Sequence, residues 1–181
     1  MTPVELYTRR LRICTPVVGD AGLIANYLTE NWTFLEPWMP RRPAIYFTPE
    51  HWERYILRRR EEESELPLLV RCQESDAVLG MAVFSSINRG PALMCNLGYN
   101  LAEKAQGHGY LTEALPAAID YVFTTLELHR VQANYMPRNE RSGRLLRRLG
   151  FVVEGYARDY LQINGRWEDH ILTSKTAPES K

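Results

Sequence analysis

Apolar and polar residues alternate through Leu6-Tyr7-Thr8-Arg9-Arg10-Leu11-Arg12-Ile13-Cys14. Leu11 and Ile13 fall on one side and Arg10 and Arg12 on the other, a period of two that predicts one half-buried strand. Asp20 stands as an N-cap ahead of Leu23, Ile24, Tyr27 and Leu28, which share a helical face. Residues 31–43 hold Trp32, Phe34, Trp38 and three prolines, a stretch too interrupted for regular structure. Thr48-Pro49 opens a second helix that runs through Trp52, Tyr55 and Ile56 into Glu61-Glu62-Glu63. Strands are predicted over 66–72, 78–85 and 92–101, joined by the turn-forming segments 73–76 and 88–91 into an antiparallel meander. After Gly107-His108-Gly109 an amphipathic helix aligns Leu111, Leu115, Ala118, Ile119, Val122 and Leu126, with Pro116 inside it. A strand over 130–136 follows. Asn139 then caps a short helix carrying Leu145, Leu146 and Leu149, which Gly150 ends. Two last strands, 151–163 and 167–173, flank the hairpin dipeptide Asn164-Gly165. The order βααβββαβαββ describes a single α/β (α+β) domain over 1–181: one mixed, mostly antiparallel sheet with helices on both faces.

Composition narrows the function. In 181 residues, 22 Lys+Arg balance 22 Asp+Glu, which argues against direct nucleic-acid binding. The zero is not uniform: residues 104–148 hold seven basic against four acidic residues. No apolar run has the length of a membrane span, and MTPVELYTRRLRIC carries charges where a signal peptide needs an apolar stretch. Cys14, Cys72 and Cys95 are too widely spaced for a metal site. A metal-free cytoplasmic protein is expected, a monomer or weak dimer.

The strand, polar loop, Gly-x-Gly and helix over 94–124 carry the chemistry. Glycines let main-chain N–H groups approach a ligand, and a helix start adds unpaired donors and a positive dipole end, which suits a phosphate. The same glycines could equally serve a tight turn. No Gly-Lys-Ser/Thr follows, which sets a P-loop aside.

The stretch from Glu103 through Gln106-Gly107-His108-Gly109-Tyr110 to Leu115 resembles the acetyl-CoA pyrophosphate loop of the GNAT acetyltransferases. Asn139-Glu140-Arg141-Ser142, leading to Arg148-Leu149-Gly150-Phe151, resembles their following motif. The segments 129–139, 154–161, 167–170 and Phe34-Leu35-Glu36-Pro37-Trp38 are similar to RimJ-type ribosomal-protein-alanine N-acetyltransferases. The resemblance implies acetyl transfer from acetyl-CoA to the N-terminal alanine of a small-subunit ribosomal protein. A small-molecule amine acceptor, or a non-catalytic acyl-CoA sensor, stays open as an alternative.

It also implies roles. Gln106, Gly107, His108, Gly109, Tyr110 and Leu111 would hold the pyrophosphate, with a side-chain donor from Gln106. Leu97, Gly98 and Tyr99 would lie on a splayed edge that bonds the pantetheine arm, together with Asn134, Asn139 and Ser142. Arg141, Arg144 and Arg148 are either a solvated face or contacts for the 3′-phosphate. Many GNAT enzymes place a tyrosine acid where this chain has Leu146, so Ser142 becomes the replacement acid. Glu103, Tyr99, Asp159 and Asp169 are the base candidates. Trp32, Glu36 and Trp38 form either an acceptor wall or an aromatic plug. His108 reads as a loop contact, His170 as a structural histidine paired with Asp169, and Cys95 as core.

Overall fold

A computed structural model describes residues 3–178, so the extreme ends of the expected 1–181 domain lie outside the described residues. Eight strands form one sheet in the order β1-β2-β3-β4-β5-β6-β8-β7. They are β1 (Glu5–Tyr7), β2 (Leu11–Cys14), β3 (Leu66–Cys72), β4 (Val78–Asn88), β5 (Met94–Leu101), β6 (Arg130–Gln132), β7 (Val152–Ile163) and β8 (Arg166–Thr176). Every pairing is antiparallel except β5 with β6. The helices are α1 (Ala21–Leu35), α2 (Pro49–Glu61), α3 (Tyr110–Thr124) and α4 (Glu140–Arg148).

Strand alternation sorts two cores. Leu66, Leu68 and Val70 of β3, with Phe84 and Leu97, pack under Leu115, Ile119, Val122 and Leu146 of α3 and α4. Leu69 and Met81 face the other way, under Ile24, Leu28, Trp52 and Ile56 of α1 and α2. Helices therefore cover both faces, as the hydrophobic pattern predicts. The Asn164-Gly165 hairpin also forms, with φ of 43° and 80° at those residues. The helix α3 runs unbroken through Pro116, which is exposed, so the carbonyl deprived of its partner can take water.

Three local expectations are corrected. The single first strand is a hairpin: β1 folds back on β2, pairing Leu6 with Ile13. The turn lacks glycine and proline. Thr8 makes it instead, its N–H donating to Leu11 O (2.9 Å) and its hydroxyl accepting from Leu11 N–H (3.2 Å). The aromatic stretch after Asn31 stays helical to Leu35 and continues as a 3-10 turn over Glu36–Trp38, because Leu35 is buried in the α1 core. The strand after α3 stops at Gln132 rather than 136: pairing with β5 ends there, and the following residues keep bonds to β8 alone.

Asp20 precedes α1, but its carboxylate does not cap that helix. It accepts from Val17 N–H (2.9 Å) and pairs with Arg71 Nη1 (2.6 Å), both charged side chains being almost fully buried. Arg71 also donates to Asp76 Oδ2 (2.6 Å) and Asp76 O (3.0 Å), joining the start of α1 to the β3–β4 turn.

A second cross-link ties the β1–β2 turn to the first turn of α3. Glu113 Oε1 accepts from the Thr8 hydroxyl (2.7 Å) and Arg10 N–H (2.8 Å), while Oε2 accepts from Arg10 Nε (2.7 Å). Burial disfavours the Glu113 carboxylate, but these hydrogen bonds and the guanidinium outweigh it and hold its pKa below the ordinary 4.5.

Removing Arg71 strands a buried carboxylate, so Arg71→Met is expected to cost about 3–5 kcal/mol, read from the urea midpoint. An unshifted midpoint would refute the cross-link. Glu113 has a lowered folded pKa, so its contribution is full above the unfolded value and is lost as pH falls through the folded one. The stability gap between the parent and Glu113→Gln should therefore narrow as pH falls below 4.5. A gap that stays constant with pH would contradict this assignment.

Candidate active site

The site begins where two parallel strands part. β5 and β6 pair only at Met94–Arg130, Cys95–Val131 and Asn96–Gln132. Beyond them Leu97, Gly98 and Tyr99 keep their β4 partners and, among the described residues, have no strand on the other side. The chain leaving β6 follows β8: Ala133 N–H donates to Thr173 O (3.0 Å) and Tyr135 N–H to Ile171 O (3.2 Å). Asn134 reinforces this course, accepting from Thr173 N–H (3.1 Å) and donating to the Tyr160 hydroxyl (3.2 Å). Its oxygen and one amide hydrogen are thereby engaged by β8 and β7.

The parted strands leave a wedge, and α4 fills one side of it. Leu97 and Tyr99 face α3 and α4, whereas Gly98 faces α1, where a Cβ would meet nothing within 4 Å. The Tyr99 phenol reaches Ser142 Oγ at 2.7 Å across 43 residues of sequence. Asn139 caps α4 by accepting from Ser142 N–H (3.1 Å), which fixes the helix start that carries Ser142; among the described residues no acceptor meets the Asn139 amide hydrogens. A close approach fixes the helix further, since a Cβ on Gly143 would stand 2.7 Å from the Tyr135 ring. Leu146, one turn on, is buried in the core.

Burial pushes the Tyr99 phenol up to about 12, against a smaller opposing pull from the Ser142 hydrogen bond. The phenol is therefore protonated at neutral pH, which removes Tyr99 as a base. The paired hydroxyls can donate a proton. Glu103 is exposed on a 3-10 turn, its N–H tied to Asn31 Oδ1 (3.1 Å). Asp169 is engaged by the Tyr156 hydroxyl and by Asp159 N–H (2.9 Å), and these hydrogen bonds hold its carboxyl below the ordinary range. His170 is buried beside the Tyr160 ring, its Nδ1 2.9 Å from Glu168 O, so Asp169 is not its partner.

The glycine loop lies at the start of α3. Gly107 and Gly109 have φ of 80° and 76°, left-handed values that a side chain strains, and Gly109 is the N-cap. Among the described residues no acceptor meets the N–H groups of Gly107, His108 and Gly109. With the free first-turn amides of α3 they form a row of unpaired donors, the arrangement that takes a diphosphate. Gln106 contributes differently from expectation: its Nε2 donates to Leu101 O (3.1 Å), bracing the loop against β5. Tyr110 and Leu111 pack on the core. Arg148 is exposed at the far end of α4, and Arg144 pairs with Glu140 (2.9 Å).

On the α1 side, Trp32 packs edge-on against Phe47 (4.8 Å) in the aromatic layer between α1 and α2. Glu36 and Trp38 share the 3-10 turn, and the Arg138 guanidinium lies 5.0 Å from the Trp38 ring centre. Arg138 also donates to Pro37 O (3.2 Å) and pairs with Glu168 Oε1 (3.0 Å). It joins this turn to β8 one residue ahead of Asn139. Sequence reasoning missed Arg138, because its partners stand 101 and 30 residues away and nothing local marks it. Tyr27 was missed as a link too: its hydroxyl donates to Asn100 Oδ1 (2.6 Å) and docks α1 on β5.

No helix among the described residues is long and apolar enough to cross a membrane, and no cluster of three potential metal ligands occurs there. Comparison with known proteins places this architecture. The acetyltransferase (GNAT) domain model matches residues 10–152. A [ribosomal protein uS5]-alanine N-acetyltransferase of Escherichia coli (strain K12) is 42% identical, over 97% of this chain and 92% of its own length. The crystal structure of ribosomal-protein-S5-alanine acetyltransferase from Vibrio fischeri superimposes with a TM-score of 0.91 at 38% identity, covering 96% of each chain. Mycobacterium smegmatis RimJ, in complex with CoA-disulfide, gives a TM-score of 0.87 at 26% identity over 97% of this chain and 87% of that one. With a splayed parallel pair, a glycine loop of free amides and a capped α4 in one sheet, this chain belongs to the GNAT acetyltransferase family.

Proposed function

We propose that this chain transfers acetyl from acetyl-CoA to the N-terminal α-amine, alanine first, of a small-subunit ribosomal protein, and works in the cytoplasm. Relatedness along nearly the whole chain to uS5-alanine enzymes carries this reading, acceptor-side elements included. The free amides around Gly107–Gly109 fit the diphosphate, and the open edge at Leu97–Tyr99 fits the pantetheine amides. Asn139 has amide hydrogens to offer the same arm.

Acetyl-CoA supplies the activated thioester. The main-chain N–H groups of the β5 edge polarise the carbonyl, stabilising charge that develops there as the amine attacks. The Ser142 and Tyr99 hydroxyls, joined at 2.7 Å, donate toward the leaving sulfur in place of the tyrosine that Leu146 replaces. The turn carrying Glu36 and Trp38 borders the entry for the amine, with Glu36 attracting its positive charge before deprotonation. An α-amine has pKa about 7.7–8.0 against about 10.4 for lysine, so deprotonation near pH 7 costs roughly 3 kcal/mol less. A site whose carboxylates are tied up or exposed, with its phenol protonated, suits that acceptor.

CoA release is expected with peptides that begin with alanine and not with N-terminally blocked peptides carrying an internal lysine. Equal rates on both would overturn the α-amine preference, and turnover confined to polyamines would assign a small-molecule acceptor. Ser142→Ala should lower kcat roughly 100-fold with little effect on CoA affinity, and Tyr99→Phe should lower it less. Unchanged turnover in Ser142→Ala removes the hydroxyl pair from the reaction.

A further inference from the structure

The glycine loop offers donors to a diphosphate, yet the first turn of α3 behind it carries Glu113. A fixed carboxylate at a helix N-terminus stabilises the helix but repels an anion that must bind beside it. Arg10 meets that charge from the β1–β2 turn, 103 residues away, with Nε donating to Glu113 Oε2 at 2.7 Å. Its guanidinium lies 4.6 Å from the Tyr110 ring centre, and its Nη2 donates to His108 O at 3.0 Å.

The last contact sets the loop's orientation. A trans peptide is planar, so the His108 carbonyl and the Gly109 N–H point in opposite directions. With the carbonyl turned toward Arg10, the Gly109 N–H is aimed away from it. A Cβ on Gly107 meets nothing within 4 Å, so the loop is open at that residue. Without Arg10 the peptide is free to rotate and present its carbonyl oxygen to the anion instead.

We propose that Arg10 is a positioning residue for the CoA diphosphate: it cancels the Glu113 charge beneath the loop and turns the His108–Gly109 peptide so that its N–H faces the phosphates. This rests on the acetyl-CoA reading above and assigns to the N-terminal hairpin a part in cofactor affinity.

Calorimetric titration with CoA and dephospho-CoA tests it. Arg10→Met should weaken both ligands by roughly five- to tenfold, since dephospho-CoA keeps the diphosphate and lacks only the 3′-phosphate. Adding Glu113→Gln to Arg10→Met should recover most of the loss, because the stranded carboxylate is then gone. A purely structural role for the pair predicts the opposite, a double variant weaker than the single one. Arg10→Lys, which keeps the charge without the fork, should lose roughly two- to threefold. Circular dichroism and urea unfolding check that each variant folds. A folded Arg10→Met with parental affinity overturns the proposal, as does a double variant no better than Arg10→Met, or a loss confined to CoA. If Arg10→Met does not fold, Arg10→Lys decides, and parental affinity there overturns it. A parent chain that binds no CoA would overturn the acetyl-CoA reading as well, whereas a binding parent with an indifferent Arg10 removes this inference alone.

Discussion

A strand bonds a neighbour on each of its two edges, and β6 holds β5 on one and β8 on the other until Gln132, after which the chain keeps β8 and diverges from β5. Most of the site follows from that divergence. Three residue pairs hold β5 and β6 parallel, and then Ala133 and Tyr135 give their N–H groups to β8 while Asn134 stitches the same course with its side chain. The edge of β5 from Leu97 to Tyr99 is left open in the middle of a sheet, where unpaired main-chain donors are otherwise rare. An extended ligand arm with amide groups is the natural partner for such an edge. The gap also gives α4 room to start beside β5, which brings Ser142 within hydrogen-bond reach of Tyr99.

Polar links spanning long stretches of sequence hold the remaining pieces against this wedge. Arg71 anchors the start of α1 through the buried Asp20, and Tyr27 docks the middle of the same helix on Asn100. Arg138 fastens the turn after α1 to β8 beside the cap of α4. Arg10 fastens the N-terminal hairpin to the helix that offers the diphosphate donors. Each link joins elements that are distant in sequence. The turn after α1 and the glycine loop are thus held by separate arginines, one ahead of Asn139 and one beneath Gly109.

Much of the fold was legible in the chain. Period-two alternation, Thr48 and Asn139 as caps, Asn164-Gly165 as a hairpin and the paired glycines before α3 all act over a few residues, and each formed where the pattern placed it. The first strand was misread because Thr8 makes a turn without the usual turn residues. The helix through Trp32 was misread because burial of Leu35 outweighs the interruptions that follow it. Among the site residues, the sequence singled out Ser142 and Tyr99 separately, but their meeting is a property of the splay. Gln106 and Asn134 were legible as polar groups near a ligand, and only the structure shows which neighbouring carbonyls, hydroxyls and amides they also bond.

By itself, then, the sequence determined the element types, the two-faced sheet and the loop of left-handed glycines, because periodicity, caps and φ preferences are short-range and written locally. Tertiary structure alone decided where β6 leaves β5, which carboxylates and amides are consumed, and which arginine reaches which turn. Most of those outcomes depend on register and on contacts between groups far apart in sequence, up to 105 residues for Thr8 and Glu113, made only when two packed layers settle on a common sheet.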